Sequence, residues 1–214
     1  MFLLSLKKIM VYIFLIIILI FSVIIHEIAH GAVANYLGDP TAKYAGRLTL
    51  NPIAHLDIFG SVLVPLLLIL ARSPILFGWA KPVPINPYNF RDQKYGQAKV
   101  ALAGPAANLG IALAIGLILR FMPNFLISPA FYTILSYIVF INILLAIFNL
   151  IPIPPLDGSH ILFTFLPESF RSIKIFLSQY GFFILLIVIF FFLGWLFPVI
   201  QFVYRLIVGS PLLL

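Results

Sequence analysis

One apolar run, from about Ile9 to Tyr36, constrains the fold of this chain most, because it is long enough to cross a lipid bilayer and carries ionisable residues near its end. As a helix rising about 1.5 Å per residue it would be roughly 42 Å long, whereas the hydrocarbon core of a bilayer is about 30 Å thick. The ionisable cluster has the pattern His26-Glu27-x-x-His30 and would lie about 15 Å from the carboxyl end of the helix. Since a charged group at this depth costs about 3 kcal/mol, the cluster indicates a functional site.

The composition indicates an integral membrane protein. Of the 214 residues, 63% are hydrophobic and 9% are charged, which excludes an ordinary soluble globule. The 13 Lys and Arg residues lie between apolar segments, as topology determinants do, so nucleic-acid binding is not expected. There is no cysteine, so any metal must be held by His and carboxylate groups. We predict a single domain over residues 1–214.

The spacing of the apolar segments predicts an all-α polytopic fold with about five or six membrane-embedded helices. After the first span at 9–36, the segments 97–121 and 127–150 are each long enough to cross the bilayer. The last segment, 177–214, has room for one helix interrupted at Pro198 or for two helices.

Two segments after the first span are too polar or too short to cross. Residues 41–57 alternate polar and apolar side chains, which predicts a small surface β-hairpin or strand between the first and third helices. Residues 58–77 are apolar over only about 13 positions, which favours a re-entrant element over a short, tilted span. Re-entry puts seven cations on one face, which the positive-inside rule makes cytoplasmic, although it leaves Lys7 and Lys8 opposite. The seven are Lys43, Arg47, Arg72, Lys81, Arg91, Lys94 and Lys99.

The histidine spacing predicts a metal site. His26 and His30, four residues apart, share one face of a helix and can bind one metal ion, with Glu27 beside them as a general base. From residue 9 through residue 42 there is no Lys or Arg to pair with Glu27. A bound divalent cation would supply that charge.

A catalytic metal usually has a third protein ligand and one open position. The candidates for this ligand are Asp157, His55, His160, Asp57 and Asp92. Asp157 is the best placed, because it follows the proline-rich break at 151–155 and no Lys or Arg occurs between Arg120 and Arg171. Non-helical backbone of this kind is tolerated at membrane depth only where protein or a cavity surrounds it. His160 could instead orient Asp157 from the next helical turn.

Together these groups predict peptide hydrolysis: a metal-activated water would attack a carbonyl while Glu27 takes the proton. Asn149, eight residues before Asp157, is either a donor to the substrate or its oxyanion, or a helix C-cap. A metal-ion transporter or channel that uses His26, His30 and Asp157 as a transit site is the main alternative. A scaffold without catalytic activity is a third.

Three motifs resemble those of the site-2 protease family of intramembrane zinc metalloproteases. They are His26-Glu27-x-x-His30, Gly104-Pro105-x-x-Asn108 and Asn149-x-x-Pro152-x-Pro154-x-x-Asp157-Gly158. The resemblance implies that His26, His30 and Asp157 bind one Zn²⁺ per chain and that Glu27 is the catalytic glutamate. It further implies a multi-pass protein of a prokaryotic cell membrane, with the active site nearer the cytoplasmic face.

The chain is also similar to a compact prokaryotic branch of this family, through Asn51-Pro52-x-x-His55 and the segment 78–84, and it has no recognisable PDZ or nucleotide-sensing domain. The expected substrates are peptide bonds in or near the transmembrane segments of other membrane proteins. Residues 79–84 either add a substrate strand by β-augmentation or form an interfacial loop. Gly104, Pro105 and Asn108 are expected to serve close helix packing.

Overall fold

The computed structural model describes residues 2–71, 80–122 and 128–212. Within these ranges the chain is all-α, as predicted, with seven α-helices and no β-strand. The helices are α1 (Phe2–Tyr36), α2 (Thr41–Tyr44), α3 (Val64–Leu70), α4 (Gly96–Phe121), α5 (Pro129–Asn149), α6 (Asp157–Phe165) and α7 (Arg171–Val208).

In the described part of the chain, α1, α4, α5 and α7 are long and apolar enough to cross a membrane. The prediction of five or six embedded helices is therefore not confirmed. The carboxyl-terminal segment was predicted as one helix interrupted at Pro198 or as two helices, but the structure has one continuous helix, which passes through Pro198 and has Gly209 as its C-cap, with a φ of 83°. That left-handed conformation suits glycine, which has no Cβ to clash.

The helices pack into one bundle in which α4 is central. It contacts α1, α5, α6 and α7. A buried apolar cluster joins α4, α5 and α7, and it includes Ala112, Val139, Ile143, Ile200 and Tyr204. Tyr204 donates a hydrogen bond to Ser136 Oγ at 3.0 Å, so its buried hydroxyl is satisfied. This cluster fixes α4 and α5, which carry much of the candidate site.

The predicted β-hairpin over 41–57 is wrong. The segment forms α2 and a 3₁₀ turn at Pro52–His55 instead. Asp39 Oδ1 accepts hydrogen bonds from the backbone N–H and the hydroxyl of Thr41, which starts α2, and the N–H of Ala45 then bonds to the carbonyl of Thr41. These local bonds use the backbone groups that a strand would pair, so the polar and apolar alternation belongs to a short helix and turns.

The segment predicted as re-entrant begins with a π-helical turn, Ile58–Leu63, that continues into α3. Its remaining residues, 72–77, lie outside the described ranges. The backbone N–H of Lys81 donates to the carbonyl of His55 at 2.9 Å. The residues on either side of this segment, His55 and Lys81, are therefore hydrogen-bonded to each other.

Candidate metal centre

Two histidines of α1 and one aspartate of α6 converge on a point between the helices. His26 and His30 are each 6% exposed, and their ring centroids lie 4.6 Å apart. Asp157 Oδ2 lies 3.0 Å from His26 Nε2 and 3.2 Å from His30 Nε2. Three ligand atoms, one from each residue, all lie within 4.8 Å of one another. The structure thus brings Asp157, rather than another candidate, to the two histidines.

The motif around Asp157 explains how a carboxylate comes to lie there. The prolines after α5 stop the helix, and α6 begins at Asp157 itself. A Cβ on Gly158 would collide with the carbonyl oxygens of Leu150 and Ile151, so only glycine lets α6 start this close to the end of α5.

Hydrogen bonds fix which nitrogen each histidine turns towards Asp157. His26 Nδ1 lies 2.6 Å from Asn108 Oδ1, while Asn108 Nδ2 donates to the carbonyl of Ser22 and to Asn142 Oδ1. Because the amide nitrogen is committed as a donor, Asn108 Oδ1 must accept from His26 Nδ1–H. Nε2 of His26 is therefore the nitrogen that faces Asp157 and the site.

His30 is oriented in the same sense by a backbone carbonyl. Its Nδ1 donates to the carbonyl of Val100 at 2.7 Å, which again turns Nε2 towards Asp157. Gly104 lies between the rings, and a Cβ there would be 2.5 Å from Nε2 of both His26 and His30. Two imidazoles whose Nδ1 atoms are hydrogen-bonded away from the site, together with one carboxylate, form a donor set that fits a divalent metal such as zinc.

Glu27 and Asn149 face the same cavity of about 370 Å³ as the three candidate ligands. Glu27 Oε2 accepts a hydrogen bond from the backbone N–H of Val83 at 2.8 Å. Asn149, the last residue of α5, donates through Nδ2 to the carbonyl of Leu145 at 2.9 Å. Its side chain thus bonds within its own helix and lines the cavity, and the C-cap is the next residue, Leu150.

The other candidate ligands have different partners. His55 Nε2 donates to the carbonyl of Thr49, Asp57 Oδ1 accepts from the N–H of Gly60, and Asp92 pairs with Lys99. His160 does line the cavity, but its Nδ1 accepts from Gln97 Nε2 at 2.9 Å. His160 thus faces the site from α6 and is oriented by α4.

Asn142 and Arg47 are residues around the site that the sequence analysis missed. Asn142 is fully buried and holds Asn108 from α5; the available signal was an amide within an apolar span. Arg47 is 7% exposed and donates to the carbonyls of Lys81 and Pro82, and nothing in its sequence context marks it as buried.

Comparison with known proteins places these features in a family. The model of peptidase family M50 matches residues 124–189, which include the Asn149 to Gly158 motif. Among relatives named "Putative zinc metalloprotease", YwhC of Bacillus subtilis is 40% identical over 181 residues, covering 81% of this chain and 78% of its own length. Rip2 of Mycolicibacterium smegmatis is 32% identical over 173 residues, covering 78% of this chain and 63% of its own. No solved structure gives a significant match.

Proposed function

This chain belongs to peptidase family M50 and is a zinc metalloprotease, and we propose that it hydrolyses peptide bonds in or near the transmembrane segments of other membrane proteins. The observation that carries the proposal is the position of the donor set. His26 and His30 lie on a helix fit to cross a membrane, beside a general-base candidate and a cavity.

Each residue of the site has a role that its contacts support. His26, His30 and Asp157 would hold the zinc ion. When bound, zinc supplies a Lewis acid that lowers the pKa of a water molecule to about 7, so that a hydroxide nucleophile is available near neutral pH. Glu27 takes the proton: Val83 fixes Oε2, so Oε1 is free to receive it. Asn149 has a second amide hydrogen with which to bind the substrate carbonyl.

The depth of the site sets what it can cleave. His26 lies ten residues before the end of α1, or about 15 Å along the helix. A helical substrate hides its carbonyls in its own hydrogen bonds, so it must unwind before Glu27 and the metal can reach a peptide bond. We therefore expect transmembrane substrates with weak or Gly/Pro-containing turns to be preferred.

The charge distribution supports a site that opens towards the cytoplasm. The site lies at the end of the bundle where α1 and α5 finish and where α4 and α7 begin. Eight described cations belong to this end. Those cations are Lys43, Arg47, Lys81, Arg91, Lys94, Lys99, Arg171 and Lys174. Only Lys7, Lys8, Arg120 and Arg205 belong to the opposite helix ends in the described ranges. Because the Lys81 to His55 bond joins the chain on either side of the segment 58–77, we propose that this segment, of which residues 72–77 lie outside the described ranges, re-enters on the same side.

The deciding experiment compares Glu27→Gln with the unmodified protein in proteoliposomes that contain a transmembrane peptide substrate. We expect the variant to keep one zinc per chain and to lose cleavage. Glu168→Gln is the matched control, since Glu168 has a side chain that is 84% exposed, and it should cleave normally. Undiminished cleavage by Glu27→Gln would refute the proposal, and zinc flux across the vesicle that survives the substitution would favour a transporter.

A further inference from the structure

A strap, residues 81–86, crosses α1 beside Glu27. Its backbone is irregular, and the Val83 N–H donates to Glu27 Oε2 at 2.8 Å. The Val83 side chain is 5% exposed and packs on Gly31, where an added Cβ would lie 3.0 Å from Val83 Cγ1. Because Glu27 and Gly31 share one face of α1, the strap is held by a polar and an apolar contact one turn apart.

The strap has no donors left for a substrate strand over its first four residues. Pro82 and Pro84 have no N–H, Lys81 donates to the carbonyl of His55, and Val83 donates to Glu27. An added β-strand needs backbone donors as well as acceptors along the edge it joins. The β-augmentation proposed for 79–84 is therefore not supported at 81–84, and Trp79 lies outside the described residues. The N–H groups of the strap are therefore used within the protein, and that of Val83 is directed at Glu27.

Arg47 holds the strap from the other side. One guanidinium nitrogen, Nη2, donates to the carbonyl of Lys81 at 2.6 Å and to that of Pro82 at 3.4 Å. The Pro82 carbonyl and the Val83 N–H belong to one peptide group. That group therefore connects a buried guanidinium at its oxygen to the Glu27 carboxylate at its nitrogen, and such a chain polarises in the direction that strengthens both bonds.

Asp39 clamps the far end of the strap. Asp39 Oδ2 accepts from the Asn86 N–H at 2.7 Å, and Oδ1 accepts from Asn89 Nδ2 at 2.9 Å. Burial opposes ionisation of Asp39, but these bonds and those from Thr41 outweigh it and lower its pKa below the usual value. The strap is thus fixed at both ends, and Val83 between them has little freedom to leave Glu27.

We propose that Arg47 is a positioning residue for Glu27, acting through the Pro82 to Val83 peptide group. This rests on the proposed function, in which Glu27 takes the proton. It also links Glu27 to a positive charge, although no Lys or Arg occurs from residue 9 through residue 42. Arg47 Nη2 donates to the Pro82 carbonyl at 3.4 Å, and the N–H of the same peptide group donates to Glu27.

The test uses Arg47→Gln in the full-length zinc-loaded protein. We expect kcat to fall about tenfold or more, with KM and zinc affinity changed less than about twofold, and Arg47→Lys to recover part of kcat because it keeps one charged donor. Arg91→Gln, which changes an exposed cation between the strap and α4, should cleave normally. Hydrogen exchange gives a readout that does not depend on activity: a peptide covering the strap should lose protection in Arg47→Gln, because Val83 is released.

Two further variants keep the proposal falsifiable. Val83→Pro removes the N–H and should reproduce the kcat loss, and Arg47→Gln should add little further loss in the Val83→Pro background, because the route through that N–H is already broken. Unchanged kcat in both Arg47→Gln and Val83→Pro would overturn the positioning role while leaving the proposed function intact. Equal losses in kcat and in zinc affinity would overturn it too, since they indicate a structural role. If Glu27→Gln itself cleaves, the proposed function fails instead.

Discussion

Gly104→Ala should disable the site through a single methyl group. The added Cβ would lie 2.5 Å from Nε2 of both His26 and His30, against an ordinary contact distance of 3.4 Å or more. One ring or α4 itself must then move by about 0.9 Å, whereas metal–ligand distances tolerate only about 0.2 Å. A misplacement near 1 Å costs about a hundredfold in rate, which is about 2.7 kcal/mol of transition-state stabilisation.

The assay for Gly104→Ala measures zinc affinity by competition with a chelator, together with the cleavage rate of a transmembrane peptide. Gly110→Ala is the matched control, because it lies on the same helix and its Cβ would meet nothing within 4 Å. It should be neutral, or more stable by about 0.5–1 kcal/mol, since alanine is the better helix former. Normal zinc affinity and normal cleavage by a folded Gly104→Ala protein would refute the steric reasoning.

Three other changes test the surroundings of the site. Asn142→Leu removes the amide that holds Asn108 and should lower zinc affinity about tenfold, whereas Ser136→Ala, which removes a buried hydrogen bond elsewhere on α5, should not. Asp157→Asn should lose zinc in the same chelator assay, and full occupancy would contradict its role as a ligand. The pKa of Asp39 is lowered on folding, so its stabilisation is complete above about pH 4 and is lost as the pH falls through the folded value. Thermal unfolding in detergent should show this acid loss, and Asp39→Asn should remove it.

Hydrophobic run length was sufficient to predict the long helices. The segments 97–121 and 127–150 correspond to α4 and α5 within two residues at each end. This agreement has a physical basis, because an apolar segment in lipid must satisfy its backbone internally and the helix is the way to do so. The family assignment and the zinc dependence were also predicted correctly, since the metal-site motifs are short and local in sequence.

The misses are residues whose partners are distant in sequence. Asp39 starts α2 and so removes the expected hairpin, but it also binds Asn86 and Asn89 about fifty positions away. Arg47 looked like a surface cation that sets topology, yet it is buried against carbonyls of the strap. No periodicity records such contacts, because they depend on how the segments between helices fold back onto α1.

From the residues Gly104, Pro105 and Asn108 we predicted only close helix packing for α4. The structure gives this helix a larger role. Gln97, Val100, Gly104 and Asn108 lie three, four and four positions apart, so they share one face of the helix. Val100 and Asn108 orient the two candidate metal-ligand histidines, Gln97 binds the histidine of α6, and Gly104 leaves room between the rings. A small rotation of α4 would disturb all four contacts together. The site is therefore built on one face of α4 as much as on the α1 motif that supplies the histidines, and α5 supports it through the buried amide pair.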